Sequence, residues 1–287
     1  MGSAGAGARL HVTHWLPEGA PKAVVLLAHG YAEHAGRYEH VARRLTDAGY
    51  AVYAIDHWGH GRSDGTPGFV PRFSAFTGGM DELLTLVEVN HAGVPRLLLG
   101  HSMGGLIATL FLIERQGAFV AAALSGPAIV PGAPPSRFTV WISSFLSRFF
   151  PRLGVLALDA EGVSRDPAVV AAYRADPLVY TGKIGARLGK EFMDAMAAAQ
   201  AGAATITLPI LLQHGEADKL TAPEGSRYLF EHVSSADKRL IVYPGLFHEI
   251  YNEPERDAVL DDLVGWFDAH VPTPNPSLRR GGAKETP

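Results

Sequence analysis

A serine, an acid and a histidine hold the chemistry this sequence can perform. Gly100-His101-Ser102-Met103-Gly104 follows the apolar run Arg96–Leu99 and precedes a helical pattern that starts near Met103. A serine between two such glycines, at a strand-to-helix turn, is held exposed in a strained conformation. A side chain at either glycine would strike neighbouring backbone. The hydroxyl is too weakly acidic to attack unaided, so a base and a group orienting that base must follow. Asp218, in His214-Gly215-Glu216-Ala217-Asp218, and His248, in Pro244-Gly245-Leu246-Phe247-His248, come in that order, each just past a strand-like run. Glu216 is the alternative acid, and His214 and His232 are the alternative bases. Negative charge developing on a carbonyl oxygen needs two backbone N–H donors. Met103 supplies one, and Tyr31, in His29-Gly30-Tyr31 after Ala23–Ala28, supplies the other, with Gly30 permitting the turn. The chemistry is acyl transfer through a serine nucleophile.

The elements that must position these residues are legible as short buried runs. Strand-like stretches fall at Leu10–Trp15, Ala23–Ala28, Tyr50–Ile55, Arg96–Leu99, Val120–Leu124, Pro209–Gln213 and Lys238–Tyr243. Helical patterns separate them, at Tyr38/Val41/Leu45, Leu83/Leu84/Val87, Leu106/Ile107/Leu110/Phe111 and Val259/Leu260/Leu263/Phe267. Asp81 is read as the cap of a helix over Glu82–Val89. Buried runs alternating with helices imply an α/β fold with a mostly parallel sheet. From Ser125 to Thr207 no central strand is visible, a gap too long for an ordinary crossover. Inside it Phe138, Trp141, Ile142, Phe145, Leu146, Phe149, Phe150 and Leu153 are spaced by threes and fours, which predicts an amphipathic helix with Ser136 as N-cap and Pro151 as its stop. The expected organisation is a tail at 1–9, core at 10–126, a helical cap at 127–206, core again at 207–271, and a second tail at 272–287.

Composition narrows the class. Hydrophobic residues make up 47% of the 287, charged ones 19% against the usual ~25%, and the formal charge is −4. Such a chain folds around a large core, and its slightly acidic balance gives no reason to expect nucleic acid. With no cysteine, disulfides, thiol nucleophiles and Cys-ligated metals are excluded. His57-x-x-His60 and His11-x-x-His14 lack a third ligand, and no phosphate-binding glycine loop follows a strand, so neither metal nor cofactor is expected. Met1–Arg9 has no basic region or apolar core, so no signal peptide is expected, and no run reaches ~18 apolar residues. The expectation is a cytoplasmic protein, with room for peripheral membrane contact through the cap and the oligomeric state left open.

Four segments together resemble the monoacylglycerol lipase/lysophospholipase family of α/β-hydrolases. They are His29-Gly30-Tyr31-Ala32-Glu33-His34-Ala35-Gly36-Arg37-Tyr38, Asp56-His57-Trp58-Gly59-His60-Gly61-Arg62-Ser63, Gly100–Gly105 and His214 through Asp218. Phe247-His248-Glu249-Ile250-Tyr251-Asn252-Glu253-Pro254-Glu255-Arg256 resembles its bacterial branch. The resemblance spans roughly residues 10–270 and is weakest in the cap. It implies a serine esterase with a lid, acting on single-chain acyl esters, monoacylglycerols first, with Ser102, Asp218 and His248 as the triad. It further implies a lipid-like partner and substrate contacts from Glu33, Arg37 and Tyr251; the aromatic cap helix adds Trp141 and Phe145, and the turn after Ala23–Ala28 adds Gly30. For Glu33 and Arg37 a salt bridge steadying the loop is the structural alternative. Ala35 stands where relatives often carry serine, Tyr31 is bulkier than the small residue of animal members, and Tyr251 sits where some relatives place a second histidine. These departures bear on the alcohol, not on the reaction. The alternatives are a carboxylesterase for short or bulky non-lipid esters and, in another class, a catalytically dead binding protein on the same fold.

Overall fold

The computed structural model describes residues 8–131 and 137–272, with 137–141 as backbone only. Seven strands form the main sheet: β1 (Val12–Trp15), β2 (Ala23–Ala28), β3 (Tyr50–Ile55), β4 (Arg96–His101), β5 (Ala121–Ser125), β8 (Ile210–Gly215) and β9 (Lys238–Tyr243). Their order is β1-β3-β2-β4-β5-β8-β9, parallel throughout except for the antiparallel β1 at one edge. Two short antiparallel strands, β6 (Gly154–Leu156) and β7 (Ile184–Gly185), form a separate sheet.

The strand sequences follow from burial on both faces. In β2, Val24, Leu26 and Ala28 belong to one core cluster while Ala23, Val25 and Leu27 belong to the other, so every residue is apolar and none alternates. The first cluster is closed by α2 (Ser74–Asn90), α3 (Met103–Arg115) and α7 (Pro223–His232), and the second by α1 (Glu39–Asp47) and α8 (Arg256–His270). Helices thus cover both sheet faces.

The helix α2 departs from expectation. It begins at Ser74 rather than Glu82, so Asp81 lies in its interior and its carboxylate receives Arg115 at 3.0 Å instead of capping a terminus. The helix passes through Gly79, where a Cβ would come within 2.9 Å of the Ile55 and Leu10 methyls. The missing side chain lets the helix lie close to the sheet.

Among the described residues, those from 127 to 206 add nothing to the main sheet and carry α4 (Arg137–Phe149), β6, α5 (Pro167–Ala175), β7 and α6 (Ala186–Gly202). The expected cap Ser136 lies outside the described residues. This segment packs over the C-terminal ends of the strands and is fastened to loops there. Tyr180 N–H donates to the Ala32 carbonyl at 2.8 Å, Gly185 N–H to the Gly68 carbonyl at 2.8 Å, and Glu249 N–H to the Val163 carbonyl at 2.8 Å. His34 Nε2 meets Asp176 Oδ2 at 2.9 Å. Among the described residues no helix is long and apolar enough to cross a membrane.

Candidate active site

The turn between β4 and α3 sets Ser102 at φ +56°, a left-handed conformation that costs a non-glycine residue roughly 1–3 kcal/mol. Three backbone bonds hold it there: Ser102 N–H to the Ser125 carbonyl (2.9 Å), and the Ser102 carbonyl accepting from Ala128 (3.1 Å) and Leu106 (3.2 Å). The flanking glycines are required by space. A Cβ on Gly104 would lie 2.0 Å from the Ala28 carbonyl oxygen, and one on Gly100 2.5 Å from that of Gly104.

Asp218, in the turn after β8, and His248, after β9, meet each other, and His248 lines the same cavity as Ser102. His248 Nδ1 lies 2.6 Å from Asp218 Oδ2, both side chains being buried. The other carboxylate oxygen accepts the Leu220 N–H at 2.8 Å and the Thr221 N–H at 3.0 Å. Burial alone would raise the Asp218 pKa, but the charge of His248, the hydrogen bonds of His214 and His248 and the Thr221 N–H outweigh it and hold the group far below the ordinary carboxylate range. Burial opposes charge on His248 too, and here the Asp218 charge and hydrogen bond prevail, lifting the imidazole above its ordinary value. The neighbouring His101 ring, 4.7 Å from that of His248, is pushed well down by burial and by His248. Of the alternatives, Glu216 and His232 are exposed, and His214 bonds the same Asp218 oxygen as His248.

Ser102 and His248 open onto a cavity of about 520 Å³, within the usual range for small-molecule sites. Tyr31, Met103, Gly30 and Glu33 line it from the core, and Ile142, Leu146, Leu156 and Met196 line it from residues 127–206. Met103 N–H, the first of α3, has no acceptor within its helix. The peptide that carries the Tyr31 N–H is fixed by His29. His57 N–H donates to His29 Nε2 at 2.9 Å, so the proton sits on Nδ1 and is donated to the Gly30 carbonyl at 2.7 Å. In a trans peptide the Tyr31 N–H points opposite to that carbonyl. Burial pushes His29 down to about 4, so the ring keeps this tautomer near neutral pH.

Other expected contacts are placed differently. Arg37 does not line the cavity. It donates to Glu33 (2.6 Å) and, through both terminal nitrogens, to Glu249 (2.7 Å each), while Glu33 Oε1 holds Gly30 N–H and the Tyr38 hydroxyl at 2.6 Å each. The pair is therefore the brace of the loop after β2, and of its two members only Glu33 reaches the cavity. Tyr251 is buried in the core beneath the site and its hydroxyl donates to Gln213 Oε1 at 2.8 Å, away from the cavity. Phe145 lies off the lining as well, with its ring against Phe149, because the helix turns Ile142 and Leu146 inward and 145 aside. The side chain of Trp141 lies outside the described residues. Sequence reasoning missed Glu249, whose place directly after His248 is a usable signal, and Thr221, whose hydroxyl lies within donating distance of Asp218 Oδ2 (2.9 Å) and of the Gly126 carbonyl (3.0 Å). Among the described residues no three His, Asp or Glu side chains gather as metal ligands would.

Residues 19–255 match the Hydrolase_4 family, described as "Serine aminopeptidase, S33". The chain belongs to this family. Among its relatives, a protein of Mycolicibacterium smegmatis named monoacylglycerol lipase is 44% identical over 265 residues, covering 92% of this chain and 95% of its own. The monoglyceride lipase of Homo sapiens is 33% identical over 270 residues, 93% of this chain and 89% of that one. The crystal structure of Paleococcus ferrophilus monoacylglycerol lipase superposes with a TM-score of 0.82 at 33% identity, over 91% of this chain and 99% of that chain. The protein is thus a Hydrolase_4 hydrolase of the α/β-hydrolase superfamily.

Proposed function

We propose that this hydrolase cleaves monoacylglycerols to fatty acid and glycerol, with Ser102 as nucleophile, His248 as base and Asp218 as its orienting acid. The observation that carries the reading is the opening of Ser102 and His248 onto one largely apolar cavity, with Asp218 held behind the histidine. His248 takes the Ser102 proton as the hydroxyl attacks the ester carbonyl, and the imidazolium is stabilised by Asp218. The N–H groups of Tyr31 and Met103 receive the developing oxyanion. The tetrahedral intermediate collapses, the alcohol departs with the proton from His248, and the acyl group remains on Ser102. Water, deprotonated by the same histidine, then releases the acid. The apolar cap side chains suit an acyl chain, and Glu33 offers a polar wall near the reacting carbon.

Lipid surfaces supply such substrates, and the outer side of the cap suits one. Phe149 and Phe150 are 60% and 53% exposed, as is Leu153 at 50%, with Arg148 over the Phe149 ring and Arg152 over that of Phe69. Exposed aromatic residues with arginines near them favour an anionic lipid interface. The double substitution Phe149→Ser/Phe150→Ser is expected to weaken sedimentation with anionic vesicles while leaving hydrolysis of a soluble p-nitrophenyl ester unchanged.

The test of the reading is a substrate series on purified protein. Monoacylglycerols with long chains should be turned over, Ser102→Ala should abolish this, and a fluorophosphonate should label Ser102. An optimum at short acyl groups with no activity on monoacylglycerol would replace the lipase with a carboxylesterase, and turnover of amino-acid p-nitroanilides instead would indicate an aminopeptidase.

A further inference from the structure

Asp218 holds two imidazoles. Besides His248, it meets His214, the penultimate residue of β8, and the side chains of His214 and Asp218 are wholly buried. His214 Nε2 lies 3.1 Å from Asp218 Oδ2 and 3.2 Å from the Thr221 carbonyl oxygen, two groups that can only accept. That nitrogen therefore carries a proton. Nδ1, 2.7 Å from Ser226 Oγ on α7, is placed to accept the seryl hydroxyl. Both ring nitrogens are thus engaged, and the ring does not line the cavity, so His214 cannot relay a proton to substrate. What it touches is the oxygen that also binds His248 Nδ1 at 2.6 Å and Thr221 Oγ1 at 2.9 Å.

We propose that His214 is a positioning residue for the hydrolysis: it fixes the Asp218 carboxylate and shares the charge of Oδ2 with His248, limiting how basic His248 becomes. The proposal rests on the Ser102–His248–Asp218 assignment above. A carboxylate oxygen that accepts from two imidazoles presents less free charge to either, and the second imidazole joins the two backbone N–H groups on Oδ1 in keeping the carboxylate in line with the base. The charged or titratable groups facing His248 are Asp218 from the turn after β8, His101 from β4, Glu249 from its own loop and Glu33 from the loop after β2, with Arg37 behind the two glutamates. His214 is the second imidazole on Asp218 Oδ2, and its ring does not line the cavity.

His214→Leu, His214→Gln and Ser226→Ala in the full chain test this. Rates on a soluble p-nitrophenyl ester are normalised to serine titrated with a fluorophosphonate, and melting is recorded beside them. In His214→Leu, kcat should fall about tenfold or more with KM within about twofold, and the acidic limb of the kcat/KM profile should move up by about half a pH unit. His214→Gln, whose amide can donate to Asp218 and accept from Ser226, should recover most of both losses. Ser226→Ala, which frees the imidazole to turn, should move the limb the same way by less. Parental kcat and an unmoved limb in His214→Leu, whatever its melting temperature, would overturn the proposal and leave His214 a packing residue. Should His214→Leu not fold, His214→Asn, too short to reach Asp218, takes its place against His214→Gln, and equal kcat and limb in the two overturn it. Asp218→Asn and His248→Ala separate the two levels. If they retain activity, the triad assignment falls; if they lose it while His214→Leu does not, only the role of His214 falls.

Discussion

Replacing Arg37 with methionine should expose what holds the loop behind the oxyanion donors. The Arg37 side chain is 11% exposed, and its guanidinium stands between Glu33 and Glu249, whose side chains are 4% and 6% exposed. It makes three short hydrogen bonds to them and packs over the Tyr173 ring at 4.7 Å. Burial works against charge on Arg37, and the two glutamates overcome it, raising its pKa above the ordinary arginine value. Methionine fills most of the volume but leaves two buried carboxylates facing one another with no cation. Removing one partner of a buried ion pair costs ~3–5 kcal/mol. At about 2 °C per kcal/mol for a chain of this size, Arg37→Met should melt about 6–10 °C below the parent. Arg37→Lys, which keeps the charge but cannot form the fork with Glu249, should fall between them. Arg37→Met/Glu249→Gln, which removes one of the stranded charges, should regain roughly half the loss. Activity per titrated serine should fall in Arg37→Met as well, because Glu33 Oε1 also holds the Gly30 N–H. Scanning calorimetry and ester hydrolysis read both effects. A single variant melting within about 2 °C of the parent, less than 1 kcal/mol by the same conversion, would refute this reasoning.

Three other substitutions follow from the same geometry. Gly104→Ala places a methyl against the immovable Ala28 carbonyl and should yield protein with little fluorophosphonate labelling and a markedly lower melting temperature. The rate needs unprotonated His248, whose pKa is raised, so kcat/KM should climb with pH through a midpoint above 6.5; a midpoint below 6 would contradict the Asp218 contact. In Asp218→Asn the acidic limb should move down and kcat should drop by about 10⁴. His29→Leu, which releases the Gly30 carbonyl, should cost on the order of 10²-fold in kcat with little change in KM, as expected when one oxyanion donor is lost.

The strands of the main sheet were readable to within about two residues at either end because the central ones are apolar runs bounded by turn formers and buried on both faces, whereas the short β6 and β7 carry no such pattern. The order of Ser102, Asp218 and His248 was equally readable, since each sits just beyond its own strand and parallel strands bring those ends together. What local pattern misrepresents is spacing that only tertiary contact explains. The helix read from Glu82 in fact begins at Ser74 and runs through Gly79, against which Ile55 and Leu10 press. Tyr251 neighbours His248 in sequence, yet its backbone turn directs the ring into the core. The roles of His214 and Thr221 depend on a convergence at Asp218 that no spacing announces, because two strands and a helix must first be packed.

The bonds that join residues 176–180 to the loop after β2 bear on how this insertion could be recombined. Ala32 holds a left-handed conformation one residue past the Tyr31 donor, and its carbonyl is satisfied by Tyr180. A transplant of 127–206 from a relative would therefore replace part of the scaffold beneath the oxyanion donors along with the acyl pocket. Specificity is separable only on the near side of that seam: exchanging 137–158 alone changes the greasy wall and leaves the anchorage native. A library drawn at those bounds should keep its turnover, whereas one drawn at the whole insertion would have to rediscover it.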